Sequence, residues 1–239
     1  MNLLLALALL GFVIIMGPTL LILDMFTDSF GGYLGNIVQM SFRTSPLNGH
    51  NREWLDNWTI FYWAWWISWA PFVSMFIARV SKGRTIREFV TGVLVAPTLL
   101  GTFWFAAFGT TAIDFQKRGI ADLTQTSTEL TIFEMFNVMP FSTVISVFAV
   151  ILIASFFITS ADSATFVLGM QSTNGSLTPP NKVKLAWGIT LSVIAIILLS
   201  VNGLDALQNT IIIAALPFSF VMLLMIISLF KALKAEGKQ

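Results

Sequence analysis

Apolar residues fall along this chain in six long blocks, near 2–23, 57–78, 88–112, 140–160, 185–203 and 210–230. Each is close to the roughly 20 residues that a helix needs to cross the hydrocarbon core of a bilayer. The pattern predicts an all-α, polytopic membrane protein with six spans in one membrane domain, 1–239, and no soluble domain. Between the first two blocks, residues 25–42 are too polar to cross. They carry Phe30, Tyr33, Leu34, Ile37, Val38 and Phe42 at near-helical spacing, which predicts an amphipathic helix in the outer interface. Gly31-Gly32 is the weak point of that helix. A polar loop with Pro46 and Gly49 follows. Residues 130–137 are expected to form a short helix, and Pro140 suits the first position of the fourth span. Gly175, Pro179 and Pro180 mark a break before the fifth.

Composition agrees with the pattern: 56% of residues are hydrophobic and 10% charged, and the mean hydropathy is +0.83, too apolar for a water-soluble chain of this length. The net charge of +1 is uninformative, but its distribution is not. If the six spans alternate sides, one side receives Arg79, Lys82, Arg84, Arg87, Lys182, Lys184, Lys231, Lys234 and Lys238. The other receives only Arg43, Arg52, Lys117 and Arg118. Nine basic residues against four place the first side, and the C-terminus, in the cytoplasm of a plasma-membrane protein. The first block leads into Gly17-Pro18 with neither a basic leader nor a small-residue cleavage site, and reads as a span and not a signal peptide. There is no cysteine, so no disulfide or thiolate site. The single histidine, His50, reads as a solvated loop residue. No metal-ligand cluster, nucleophile–base pair, phosphate loop or Gly-x-Ser-x-Gly is present, so no enzyme is expected, and no nucleic-acid partner.

Two constellations stand out. The first is Trp58-Thr59-Ile60-Phe61-Tyr62-Trp63-Ala64-Trp65-Trp66-Ile67-Ser68-Trp69, with five tryptophans in twelve residues. At 100° per residue, Trp58, Tyr62, Trp65, Trp69, Phe72 and Phe76 share one face. Interface anchoring explains Trp58 and its neighbours. Trp65, Trp66 and Trp69 lie about 10–17 Å further along the helix, where indole either packs against protein or lines a cavity. Bulky helix packing is one use of such rings. The other is an aromatic cage for a quaternary ammonium cation, which has no hydrogen bond to donate but is attracted to ring faces. Pro71 removes a backbone hydrogen bond within the same span.

The second constellation is Phe156 to Ser163, a run of small and hydroxyl residues at the inner end of the fourth span. Thr159 and Ser160 are adjacent hydroxyls, and the Phe156 carbonyl lies one turn earlier, a set of oxygens suited to a hard cation such as sodium. By spacing alone, bonding back to their own helix or joining neighbouring helices is the better account of these hydroxyls.

Together these runs, with the basic turn Gly83-Arg84-Thr85-Ile86-Arg87-Glu88-Phe89, resemble the betaine/carnitine/choline transporter family, and its Gram-positive glycine betaine systems most. The resemblance implies a LeuT-like fold of inverted five-helix repeats, of which this chain supplies the last helix of the first repeat, the interfacial helix 25–42 and the second repeat. It implies a sodium-coupled secondary transporter importing glycine betaine or a similar osmolyte, with sodium as coupling ion and no cofactor. Trp66 matches the central substrate site, and Trp65, Trp69 and Tyr62 match its neighbours. Phe156, Thr159 and Ser160 match one sodium site, and Phe72 and Phe76 a second. Trp66 lies about 60–70° from the centre of the stripe on an ideal helix, and joins it only if Pro71 or local unwinding rotates it, which the sequence does not show. Family members are about twice as long, which implies a C-terminal part whose N-terminal half completes the site. Membrane lipid and a homotrimer are the other implied partners. A choline or carnitine transporter, or a non-transporting remnant or helper subunit, is the alternative.

Overall fold

The computed structural model describes residues 2–44, 52–201 and 203–236. His50, Pro46 and Gly49 lie outside the described residues. Nine α-helices are described: α1 Asn2–Met16, α2 Thr19–Ser41, α3 Arg52–Trp54, α4 Phe61–Val80, α5 Ile86–Lys117, α6 Thr131–Asn137, α7 Ser142–Ser172, α8 Asn181–Ser200 and α9 Leu204–Glu236. A π-helical turn, Leu55–Ile60, joins α3 to α4. Among the described residues five helical stretches are long and apolar enough to cross a membrane, and a sixth exists if α1 and α2 are taken as one bent span. The chain is an all-α, multi-pass membrane protein.

The helices form two compact units: Met1–Arg43 with Arg84–Ser160, and Thr44–Gly83 with Ala161–Gln239. In the first, Ala6, Leu9, Leu10 and Val13 make one buried face of α1 at helical spacing. They share a core with Ala107 and Phe108 of α5, Met135 and Phe136 of α6, and Ile145, Ala149 and Leu152 of α7. The sequence predicts a continuous span over 2–23 and a separate helix over 25–42. Instead α1 stops at Met16, and one helix runs from Thr19 through Ser41, bent from α1 by 112°. Pro18 has no N–H to donate and blocks the helical path behind it. The orphaned end is closed locally: the Gly17 amide donates to the Val13 carbonyl at 2.8 Å and Thr19 Oγ1 to the Ile14 carbonyl at 2.6 Å. The Gly31-Gly32 pair does not interrupt α2, which Phe26 anchors by stacking on Phe103 of α5 at 4.2 Å.

The α4–α5 turn ends in a capping box. The Glu88 amide donates to Thr85 Oγ1 at 3.2 Å, and the Thr85 amide to the Glu88 carboxylate at 3.0 Å. Gly83, at φ 87°, supplies the left-handed residue the turn requires. In the following loop Thr124 donates from its hydroxyl to Asp122 at 2.8 Å, and this bond holds the Asp122 carboxyl below the ordinary range. α7 begins at Ser142 and not at Pro140: Phe141 takes φ 59°, and its carbonyl accepts the first helical bond, from Ile145, at 3.1 Å. α7 then continues twelve residues past the predicted end of its span. The run Ala164 to Met170 has no proline, and termination waits for Asn174 and Gly175 in the left-handed region, where the Gly175 amide donates to the Met170 carbonyl at 2.8 Å.

In the second unit α4 packs chiefly on α9. Ala64 and Ala215 are buried small residues, and Ser68 Oγ donates to the Ile211 carbonyl at 3.0 Å. Small residues let backbones approach where the surrounding lipid is as apolar as the side chains. Gly169 of α7 faces Pro179 Cβ, which would stand 3.1 Å from any added Cβ, and Trp187 Nε1 of α8 donates to Ser172 Oγ at 2.7 Å.

Two expectations follow. A Cβ at Gly17 would stand 2.6 Å from the Val13 carbonyl oxygen and 2.9 Å from Thr111 Oγ1, whereas one at Gly11 meets nothing within 4 Å. Gly17→Val should lower the thermal midpoint in detergent by the equivalent of about 1–3 kcal/mol, and Gly11→Ala should leave it unchanged or raise it. Equal midpoints for the two would show that the bend does not depend on glycine. At the α4–α9 seam, Ala64→Leu should cost about 1–3 kcal/mol by overpacking, and Ser68→Ala only about 0.6 kcal/mol. The same melts read that ranking, and a costlier Ser68→Ala would make the hydrogen bond, not the close approach, the source of the contact.

Candidate functional site

The aromatic run begins on the π-helical turn. The Phe61 amide donates to the Asp56 carbonyl five residues back, so the residues before Phe61 turn by less than 100° each. The single stripe drawn on an ideal helix resolves into two clusters. Trp58 stacks on Tyr62 at 5.9 Å with planes 5° apart, and Trp65 lies 5.7 Å from both Tyr62 and Phe61. Trp66 and Trp69 form a separate edge-to-face pair at 5.2 Å and 66°. α4 is regular from Phe61 onward, so neither the π turn nor Pro71 rotates Trp66 onto the Trp65 side. Trp69, three residues on, is the ring that brings Trp66 into the array.

These rings are open within the chain: Trp66 is 62% exposed, and Tyr62, Trp65 and Trp69 about 40% each. Phe76 is similarly open, and Phe72 is half-buried. Below the tryptophans, Pro71 leaves the Ile67 carbonyl without its α-helical amide partner, and Ser74 Oγ donates to the Pro71 carbonyl at 2.9 Å. The face presents electron-rich rings, and its side chains carry no formal charge. Such a surface attracts a cation that cannot hydrogen-bond.

The hydroxyl constellation belongs to the first unit. Because α7 runs on to Ser172, Phe156, Thr159 and Ser160 occupy the middle of a continuous helix and not its inner end. Thr159 Oγ1 donates back to the Ser155 and Phe156 carbonyls, each at 3.0 Å. Its oxygen also accepts from Asn2 Nδ2 of α1 at 3.3 Å, and Ser155 Oγ donates to Asn2 Oδ1. Sequence reasoning missed Ser155 and Asn2. Ser155 was detectable, standing one turn before Thr159 on the same face. Asn2 had a weaker signal, a lone amide at the head of a leucine-rich run. Ser160 and Phe156 are exposed. The aromatic residues lie in the second unit and the hydroxyl residues in the first.

The sequence profile "BCCT, betaine/carnitine/choline family transporter" matches residues 1–238. The chain is similar to the glycine betaine transporter OpuD of Bacillus subtilis, 57% identical over 238 residues, which is 100% of this chain and 46% of that protein. It is 42% identical over 231 residues to the ectoine/hydroxyectoine transporter of Virgibacillus pantothenticus, covering 95% of this chain and 46% of that one. With a glycine betaine/proline/choline/ectoine transporter of Vibrio parahaemolyticus it shares 43% over 218 residues, 87% of this chain and 38% of that one. The chain spans less than half the length of these relatives, all named as transporters and not as enzymes. A profile match over nearly every residue, together with 57% identity across the whole chain, makes this a member of the betaine/carnitine/choline family of transporters.

Proposed function

We propose that this chain forms the C-terminal part of a sodium-coupled secondary transporter that imports glycine betaine or a similar quaternary-ammonium osmolyte across the cell membrane. The observation that carries the reading is the open aromatic face of α4, where Tyr62, Trp65, Trp66 and Trp69 present ring faces without a competing charge. A trimethylammonium group seated there gains about 0.5–2 kcal/mol per well-placed ring, enough for several rings to select it over a hydrated inorganic cation. The substrate carboxylate needs hydrogen-bond donors, which this reading places in an N-terminal segment that completes the transporter. Phe156, Thr159 and Ser160 supply oxygens to one sodium ion, and Phe72 and Phe76 flank a second. The sodium gradient supplies the work through alternating access around a midplane site, in a LeuT-like arrangement of inverted repeats. The C-terminus faces the cytoplasm with Lys231 and Lys234, and a homotrimer is the assembled form.

The identity to OpuD favours glycine betaine. The 42% identity to an ectoine/hydroxyectoine transporter supports a second reading, in which the same cage takes a delocalised ring cation.

Labelled glycine betaine uptake in cells without their own betaine transporters tests the proposal, with this chain expressed alone and with a complementing N-terminal half. Uptake is expected only with both halves and only in sodium, and should vanish with Trp66→Ala. Thr159→Ala should raise the sodium concentration for half-maximal uptake by about tenfold, or ~1.4 kcal/mol. No uptake in either arrangement, with the protein confirmed in the membrane, would sink this reading and leave a non-transporting helper or a different substrate. Uptake of labelled ectoine in preference to betaine would select the second reading.

A further inference from the structure

A polar group of another helix faces the hydroxyl cluster. α1 is built almost wholly of Leu, Ala, Ile and Val, yet its first residue, Asn2, reaches α7 and engages two hydroxyls one turn apart. Its amide oxygen accepts from Ser155 Oγ, and its amide nitrogen donates to Thr159 Oγ1 at 3.3 Å. In this arrangement Oδ1 lies toward Ser155 and Nδ2 toward Thr159, the orientation that leaves the Thr159 proton to its own helix. Thr159 spends its own proton on the Ser155 and Phe156 carbonyls. Its oxygen therefore meets the Asn2 N–H as an acceptor, on the atom that the proposed function assigns to sodium.

We infer that Asn2 is a positioning residue that sets sodium affinity by holding an N–H donor against the Thr159 hydroxyl oxygen. The inference rests on the sodium role proposed for Thr159. An N–H directed at a cation ligand occupies one of two lone pairs and places partial positive charge beside the ion. Sodium binding must displace that donor or be weakened by it. Ser155 belongs to the same device, because its hydroxyl keeps the amide from turning its oxygen toward Thr159. A polar tie whose only task was to hold α1 on α7 would have no effect on which ions Thr159 accepts.

The test measures sodium and betaine half-saturation of uptake by the chain together with its N-terminal half, at constant ionic strength set with potassium. Asn2→Asp replaces the donor by an acceptor of the same shape. It should lower the sodium half-saturation concentration at least about threefold at pH 8, as expected when a charge-assisted contact replaces an unfavourable one. The gain should shrink as the pH falls and the carboxyl takes up its proton, while betaine half-saturation at saturating sodium stays put. Ser155→Ala should lower the sodium half-saturation in the same sense with no pH dependence, and decides the matter if Asn2→Asp does not reach the membrane. If unsubstituted protein depends on sodium and both variants keep its half-saturation value, or lose only maximal rate, Asn2 is a structural tie and the inference is overturned. If the unsubstituted protein transports without sodium, the sodium role of Thr159 fails first, and the inference with it.

Discussion

In hydrocarbon there is no water to satisfy a backbone amide or carbonyl, and an unpaired one costs several kcal/mol. Nearly every feature of this chain answers that constraint. Helices form wherever the sequence stays apolar for about 20 residues. Where a helix must stop, a side chain or a left-handed residue takes over the hydrogen bonds that the next turn would have made. Thr19 closes the end of α1, and Ser81 Oγ donates to the Ile77 carbonyl at 2.7 Å at the end of α4. The Thr85–Glu88 box opens α5, and the Gly203 amide meets the Leu198 carbonyl at 2.8 Å between α8 and α9. Prolines 71, 97 and 217 sit inside helices that continue past them, which a bilayer permits when neighbouring groups re-satisfy what proline frees.

The same solvent removes the usual reason for helices to associate, since lipid tails are as apolar as leucine. Contacts within each unit therefore depend on shape and on a few polar bonds. Ala64, Ser68 and Ala215 let α4 and α9 close up, and Gly169 makes room for Pro179. In the first unit a buried Phe136 meets Phe108 edge-to-face at 6.3 Å, and Asn2 ties α1 to α7. A polar side chain in such a setting is expensive unless partnered; most bond back to their own helix, and one that reaches another helix marks a contact.

Much of this was legible beforehand, for reasons that differ from element to element. The apolar blocks located α4, α5, α7, α8 and α9 because span length is a crude and robust signal. The bend at Gly17-Pro18 was passed over because the hydropathy on either side of it is uniform; only the missing N–H of Pro18 decides that α1 ends at Met16. The reach of α7 to Ser172 was hidden because threonine, serine and aspartate around position 160 look like a helix end, yet the helix runs through them, with Thr159 and Thr165 bonding back to its carbonyls. The π turn at Leu55–Ile60 leaves no trace in composition, and it sets where Trp58 stands against Tyr62; the pairing of Trp66 with Trp69 belongs to the regular helix that follows.

Back-bonding and ion binding were set against each other as explanations of Thr159, but the geometry makes them compatible. A hydroxyl has one proton and two lone pairs. When Thr159 gives its proton to the Ser155 and Phe156 carbonyls, the oxygen's acceptor side is turned away from its own helix. A hydroxyl that donates into its helix is thus already oriented as a cation ligand, with no reorganisation needed when the ion arrives. The helical partners also restrain χ1, so the oxygen keeps its place while another group approaches it. What decides between a structural and a functional hydroxyl is therefore the group on its acceptor side. For Thr159 the amide of Asn2 stands there, and a donor N–H and a sodium ion cannot occupy the same lone pair.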